Sequence, residues 1–229
     1  MAGGQLYEVM LKLCAGIVTI LYPIYCYGCR YEIVGKRGLC DSCEQRLQPV
    51  VSTICSVTKK YELPVFAAYA YRGPICDIIR AKKRSDACAA QALALMVDEV
   101  LGELKGEIDY LIPVPLHKTR QAERGFNQAA VMAEFLAERW NVRQSNAIVR
   151  SKNTPYQASV SAAARQSNVE DAFTWADESM NIELVGKRIC IVDDLFTTGA
   201  TVSAMARLLI AVRPQSIMVI VAARAIDER

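Results

Sequence analysis

The run Ile189-Cys190-Ile191-Val192-Asp193-Asp194-Leu195-Phe196-Thr197-Thr198-Gly199-Ala200-Thr201 constrains this chain more than any other stretch. Four apolar residues in succession suit a strand covered on both faces, as strands of parallel sheets are. Two carboxylates follow at its carboxyl end, then a Thr/Gly turn. Beyond the turn, Val202, Met205, Leu208, Leu209 and Val212 recur at helical spacing. Strand, turn and helix in this order gather backbone N–H groups and threonine hydroxyls at a helix N-terminus, which binds phosphate. The adjoining carboxylates suit vicinal sugar hydroxyls or an Mg²⁺ ion. Phosphate beside a diol describes a ribose 5-phosphate. The plain alternative is an ordinary strand-to-helix turn capped by Thr and loosened by Gly.

The rest of the chain repeats the alternation of strand and helix. Residues 65–71 alternate and are rich in aromatics, which predicts a strand, and Gly73-Pro74 turns it into a helix from about Ile75. A second helix, roughly 86–104, carries Ala90, Leu93, Val97, Val100, Leu101 and Leu104 on one stripe. Tyr110-Leu111-Ile112 reads as a strand ended by Pro113-Val114-Pro115, and a helix over about 127–139 presents Val131, Met132, Phe135 and Leu136. A late strand covers 216–223. The pattern predicts an α/β fold with a mostly parallel sheet flanked by helices. Ligands of such sheets sit at the carboxyl ends of strands, where Asp193, Asp194 and residues 113–116 fall. A basic loop containing His117, Lys118, Arg120 and Arg124 lies between these elements, and Lys82, Lys83 and Arg84 form a second cluster. Each reads either as solvated surface or as a grip on an anion. His117, the sole histidine, has no nucleophile partner near it in sequence.

Four of the nine cysteines form two Cys-x-x-Cys knuckles, Cys26/Cys29 and Cys40/Cys43, with Gly28, Gly35 and Gly38 loosening the turns. Four thiolates complete the tetrahedral shell that Zn²⁺ prefers and leave no open position, so the site is expected to be structural. Two disulfides are the competing arrangement. Cys14, Cys55, Cys76, Cys88 and Cys190 stand alone, without a disulfide framework, which points to a reducing cytoplasmic compartment. Replacing Cys40 with Ser is expected to release zinc and loosen residues 24–48 while the larger domain stays folded.

With 229 residues and 52% apolar content, the chain can bury one α/β domain and a small appendage. We divide it into an N-terminal helix (1–23), a Cys₄ zinc finger (24–48) and the larger domain (60–229). The apolar stretch 13–22 falls short of the roughly 20 residues of a membrane span, and Pro23-Ile24-Tyr25 offers no signal-peptide cleavage site. A docked helix or a peripheral membrane contact both fit it. A net charge of +3 does not by itself argue for nucleic-acid binding.

Asp193 and Asp194 followed by Thr197, Thr198, Gly199, Ala200 and Thr201 resemble the phosphoribosyl-pyrophosphate signature of type I phosphoribosyltransferases. Taken with the Cys₄ knuckle, Pro113-Val114-Pro115-Leu116, Arg124-Gly125-Phe126-Asn127-Gln128, and the middle block of Thr154, Gln157, Arg165, Asn168 and Ala172-Phe173, the chain resembles the ComF family. That resemblance covers it from about residue 20 to the C-terminus. It implies a cytosolic protein with a phosphoribosyltransferase-type domain, associated with DNA uptake in naturally competent bacteria. By analogy, the acid pair binds ribose, Thr197 to Thr201 hold the 5-phosphate, and Lys82, Val114, Pro115 and Leu116 contact pyrophosphate. Residues 118–124 become a mobile loop whose Arg120 and Arg124 neutralise the leaving group. Structural Zn²⁺, and Mg²⁺ with phosphoribosyl pyrophosphate, are the implied cofactors. Single-stranded DNA and a DNA-uptake helicase are the implied partners, with Phe126, Tyr27 or Tyr31 as stacking faces for bases. An active pentosyltransferase of nucleobase salvage is the alternative, with no acceptor base legible in the sequence.

Overall fold

The computed structural model describes residues 24–33, 38–81, 86–151 and 172–226. The predicted N-terminal helix, Lys82, Lys83 and Arg84, and Thr154, Gln157, Arg165 and Asn168 lie outside these residues. The Cys₄ head comprises the short strands β1 (Ile24–Tyr25) and β2 (Glu32–Ile33), paired antiparallel, and the helical turn α1 (Asp41–Glu44). Next come β3 (Thr53–Thr58), β4 (Tyr61–Ala70), α2 (Pro74–Ala81), α3 (Ala87–Leu101) and β5 (Tyr110–Pro113). They are followed by α4 (Lys118–Arg124), α5 (Gln128–Trp140), β6 (Arg143–Gln144) and the strands β7 (Ile148–Arg150) and β8 (Phe173–Trp175). The chain ends with β9 (Arg188–Phe196), α6 (Ala200–Ala211) and β10 (Ser216–Arg224).

The central sheet has six strands in the order β3-β4-β10-β9-β5-β6. All neighbours run parallel except the β3–β4 hairpin, so the expected mostly parallel α/β sheet is present. Alternation of side chains divides the core into two layers. Ile189 and Ile191 join Val202, Met205 and Leu209 of α6 on one face. Cys190 and Val192 join Leu93 of α3 and Met132 and Leu136 of α5 on the other. Thus α5, which follows β5, and α6, which follows β9, cover opposite faces. The connections reverse direction between the adjacent strands β5 and β9, which opens a crevice at their carboxyl ends.

At the opposite ends of the same two strands, Asp109 accepts from the Arg188 backbone N–H at 2.8 Å and from its Nη2 at 2.8 Å. The Arg188 side chain and backbone N–H hold this carboxyl at about 2, below its ordinary value near 3.8. A pKa lower in the folded than in the unfolded chain contributes stability above about pH 4, lost as pH falls toward 2. Asp109→Asn is therefore expected to lower stability by about 1–2 kcal/mol at neutral pH, given partial solvent screening. Urea melts of parent and variant should differ at pH 7 and converge as pH falls below 4. A gap independent of pH would contradict this linkage.

Candidate functional site

The strand that carries the acid pair is longer than its apolar run. β9 continues through Asp193 and Asp194 to Phe196 because it keeps pairing with β10, with Asp193 opposite Val221 and Phe196 opposite Arg224. On its other side, pairing stops where Pro113 faces Val192, and the Val114 N–H donates to the Val192 carbonyl at 2.9 Å. The carboxylates therefore lie on the one stretch of β9 that has lost its β5 neighbour. As consecutive strand residues they leave the strand on opposite sides. Both still line the cleft at the strand edge.

That cleft holds about 50 Å³ and is walled by Val114, Leu116, Arg124, Asn127, Gln128 and Ala129 together with the two aspartates. Asn127 fixes the wall: its amide donates to the Val114 carbonyl at 2.9 Å, and its oxygen caps the Ala129 N–H at 3.1 Å. Pro115 and Arg120 are not among the residues that line it. A larger hollow of about 630 Å³ lies between the ends of α3 and α5. Its Asp98 is held by Trp140 Nε1 at 2.7 Å and by Arg139, and no predicted site residue lines it.

The phosphate turn follows directly. Gly199 begins α6 in the left-handed region, at φ +76°, without a side-chain cap. Asp86, His117 and Asn127 cap α3, α4 and α5 with their own side chains. The first-turn N–H groups of α6 thus lack the local side-chain acceptor that α3, α4 and α5 carry. Thr197 and Thr198 are exposed beside them, and Ala200 and Thr201 are half-buried.

Residues 118–124 differ from the expected loop. They form the seven-residue helix α4, because His117 Nδ1 accepts from the Thr119 N–H at 3.3 Å and Gly125, at φ +77°, closes its carboxyl end. Arg120 and Arg124, four residues apart, share one side of it and are half-buried. Arg150 of β7 joins this group unforeseen. Burial lowers its pKa, the Arg120 charge lowers it further, and Asp193 opposes both. Its guanidinium also lies over the Phe173 ring at 5.5 Å. The segment around Arg150 carries no motif, so only the fold reveals its place. Gln128, quoted within the Arg-Gly-Phe-Asn-Gln block without a role of its own, is also part of the cleft.

In the head, the four predicted ligands Cys26, Cys29, Cys40 and Cys43 place their Sγ atoms within 4.8 Å of one another. Zn–S bonds of about 2.3 Å in a tetrahedron require S···S separations near 3.8 Å. Cys29 and Cys40 Sγ are 3.6 Å apart, so the donor set fits a structural Zn²⁺. Of the predicted stacking faces, Tyr27 donates to Asp86 at 2.8 Å and Phe126 packs on the core. Tyr31 is 77% exposed, next to exposed Tyr25. Among the described residues, no helix is long and apolar enough to cross a membrane.

Comparison with known proteins agrees with this architecture. Residues 127–229 match the phosphoribosyl transferase domain family, and residues 17–80 match the double zinc ribbon domain family. The chain is 29% identical to Competence protein F of Haemophilus influenzae over 208 residues, 80% of this chain and 90% of that one. It is 26% identical to the DNA utilization protein YhgH of Escherichia coli O6:H1 over 215 residues, covering 82% and 91%. Competence protein ComFC of Bacillus subtilis is 26% identical over 232 residues, covering 91% and 92%. The chain is a homologue of the proteins named Competence protein F, ComFC and YhgH, and it joins a phosphoribosyl transferase domain to an N-terminal double zinc ribbon domain.

Proposed function

We propose that the cleft binds 5-phosphoribosyl pyrophosphate with Mg²⁺, and that the protein handles single-stranded DNA during DNA uptake in competence. One observation carries the ligand reading. Asp193, Asp194, Val114, Leu116 and Arg124 meet at one crevice where β5 ends and β9 runs on past it, and an uncapped helix N-terminus follows β9. In that reading the α6 amides with Thr197, Thr198 and Thr201 take the 5-phosphate, and the aspartates hold the pentose hydroxyls. The segment 114–116, with Arg120 and Arg124, faces the pyrophosphate. Arg150 adds a third positive charge near Asp193. Mg²⁺ would neutralise pyrophosphate charge and help the carboxylates orient the sugar. The names of the relatives, competence proteins and DNA utilization proteins, support the cellular role. Exposed Tyr25 and Tyr31, flanked by Arg30 and Glu32, give the zinc head an aromatic face suited to stacked bases.

The double variant Asp193→Asn/Asp194→Asn should bind phosphoribosyl pyrophosphate at least about tenfold more weakly by calorimetry, equivalent to about 1.4 kcal/mol. Parent-like binding by the double variant, or no binding by the parent, would defeat the ligand reading. Affinity for an oligodeoxynucleotide should fall steeply with salt as phosphates are neutralised, and a flat salt response would defeat the DNA reading. The arginines at the cleft also favour a second reading, an active phosphoribosyltransferase, since a departing pyrophosphate needs such positive charge. Release of pyrophosphate in the presence of a particular nucleobase would select it.

A further inference from the structure

Three polar side chains are buried among the described residues: Gln128, Asp194 and Ser203. Ser203 is satisfied, donating to the Ser56 carbonyl at 3.4 Å. Gln128 is different. It is 5% exposed, it lines the cleft beside Asp194, and neither its Nε2 nor its Oε1 has a hydrogen-bond partner among the described residues. An orphaned buried donor or acceptor costs about 1–3 kcal/mol, and a core position at the start of α5 could hold leucine without that cost. The amide, with one donor end and one acceptor end, is buried in the wall of a cleft with room for little more than the edge of a sugar. A vicinal diol satisfies both, because each hydroxyl can donate or accept.

We infer that Gln128 reads the 2,3-diol of the pentose and makes the cleft selective for ribose over deoxyribose phosphates. The inference rests on the sugar-phosphate reading of the cleft and deepens it. Loss of one hydroxyl leaves one end of the amide orphaned, and sites built around a ligand hydroxyl reject analogues lacking it. DNA sugars are thereby excluded from the cleft, so DNA held by the protein is held elsewhere on its surface.

Titration calorimetry on the full zinc-loaded chain tests this with ribose 5-phosphate and 2-deoxyribose 5-phosphate. The parent should prefer ribose 5-phosphate by about tenfold or more. Gln128→Leu should bind ribose 5-phosphate about tenfold more weakly and discriminate less than about threefold, while its ligand-free Tm holds or rises. The Tm separates the two roles, since a merely structural glutamine would lower it on replacement. Binding by the parent with unchanged discrimination in the variant overturns the role of Gln128. Absence of ribose 5-phosphate binding in the parent overturns both this role and the reading beneath it.

Discussion

Gly199→Ala is expected to cripple the phosphate turn and destabilise the protein by about 2–5 kcal/mol. Two costs add. At φ +76° an alanine carries backbone strain of about 1–2 kcal/mol. A Cβ there would also lie 2.7 Å from Cys55 Sγ and 3.0 Å from Phe196 Cζ, and overpacking of this kind costs about 1–3 kcal/mol. Neither neighbour yields readily. Cys55 belongs to β3 and has its Sγ 3.4 Å from Ser203 Oγ of α6, and Phe196 ends β9, paired with Arg224. Relief therefore comes from displacing the turn itself, which moves the α6 amides away from the phosphate position. Affinity for ribose 5-phosphate should fall at least about tenfold, and Tm should drop by about 10 °C.

Gly125→Ala provides the comparison. Its φ is +77°, but a Cβ there meets nothing within 4 Å, so it carries strain without the clash and should shift Tm much less. Cys55→Ala combined with Gly199→Ala should recover part of the loss as a favourable coupling in a double-mutant cycle. Equal Tm changes for the two glycine variants would show that contact with Cys55 and Phe196 has no energetic role.

Local patterns revealed the elements that bury continuous or periodic apolar surface. Ile189, Cys190, Ile191 and Val192 are wholly buried, as a strand between two helical layers requires. Asp86 and Asn127 stand at the helix starts that the apolar stripes implied. Features set by distant partners were not legible. β9 runs past its aspartates because β10 continues beside it, and nothing around Leu195 signals that. β3 alternates buried and exposed residues, yet it falls between the divisions 24–48 and 60–229 that the sequence suggested. Residues 118–124 look like a basic loop until His117 and Gly125 are seen to close a helix around them. Arg150 reaches Asp193 only through the fold, and the importance of Gln128 lies in a burial that its polarity conceals.

Loss of the zinc shell should reach well beyond the head. Cys40→Ser is expected to lower bound zinc from stoichiometric to near none and to loosen α2 and the start of α3 together with residues 24–47. Burial alone would raise the Cys26 thiol, but N–H donors from Cys29, Cys40 and Gly28 bring it down to about 6. Burial pushes Cys43 up to about 12, and a bound metal would have to displace that proton. Structural zinc contributes about 10–16 kcal/mol in free-standing fingers, and much of that is at stake here. The head is not a detached appendage. Cys26, Ile33, Leu39, Cys43 and Leu47 share one core with Ile75 and Ile78 of α2 and Ala89 and Leu93 of α3. Gly28 has room for no side chain, since a Cβ there would lie 2.9 Å from Cys43 Sγ and 3.2 Å from Pro74 Cβ. Tyr27 holds Asp86, which in turn caps α3 through the Ala89 N–H at 3.2 Å. The isolated loosening expected from the cysteine spacing therefore extends through Pro74 and Asp86 into the helices that cover the sheet. Hydrogen exchange should show protection lost over α1, α2 and the first turn of α3 but retained in β9 and β10. Tyr27→Phe should keep its zinc and lose protection only near Asp86, separating that single hydrogen bond from the metal's effect. Full zinc content in Cys40→Ser, or exchange changes confined to residues 24–47, would contradict this coupling.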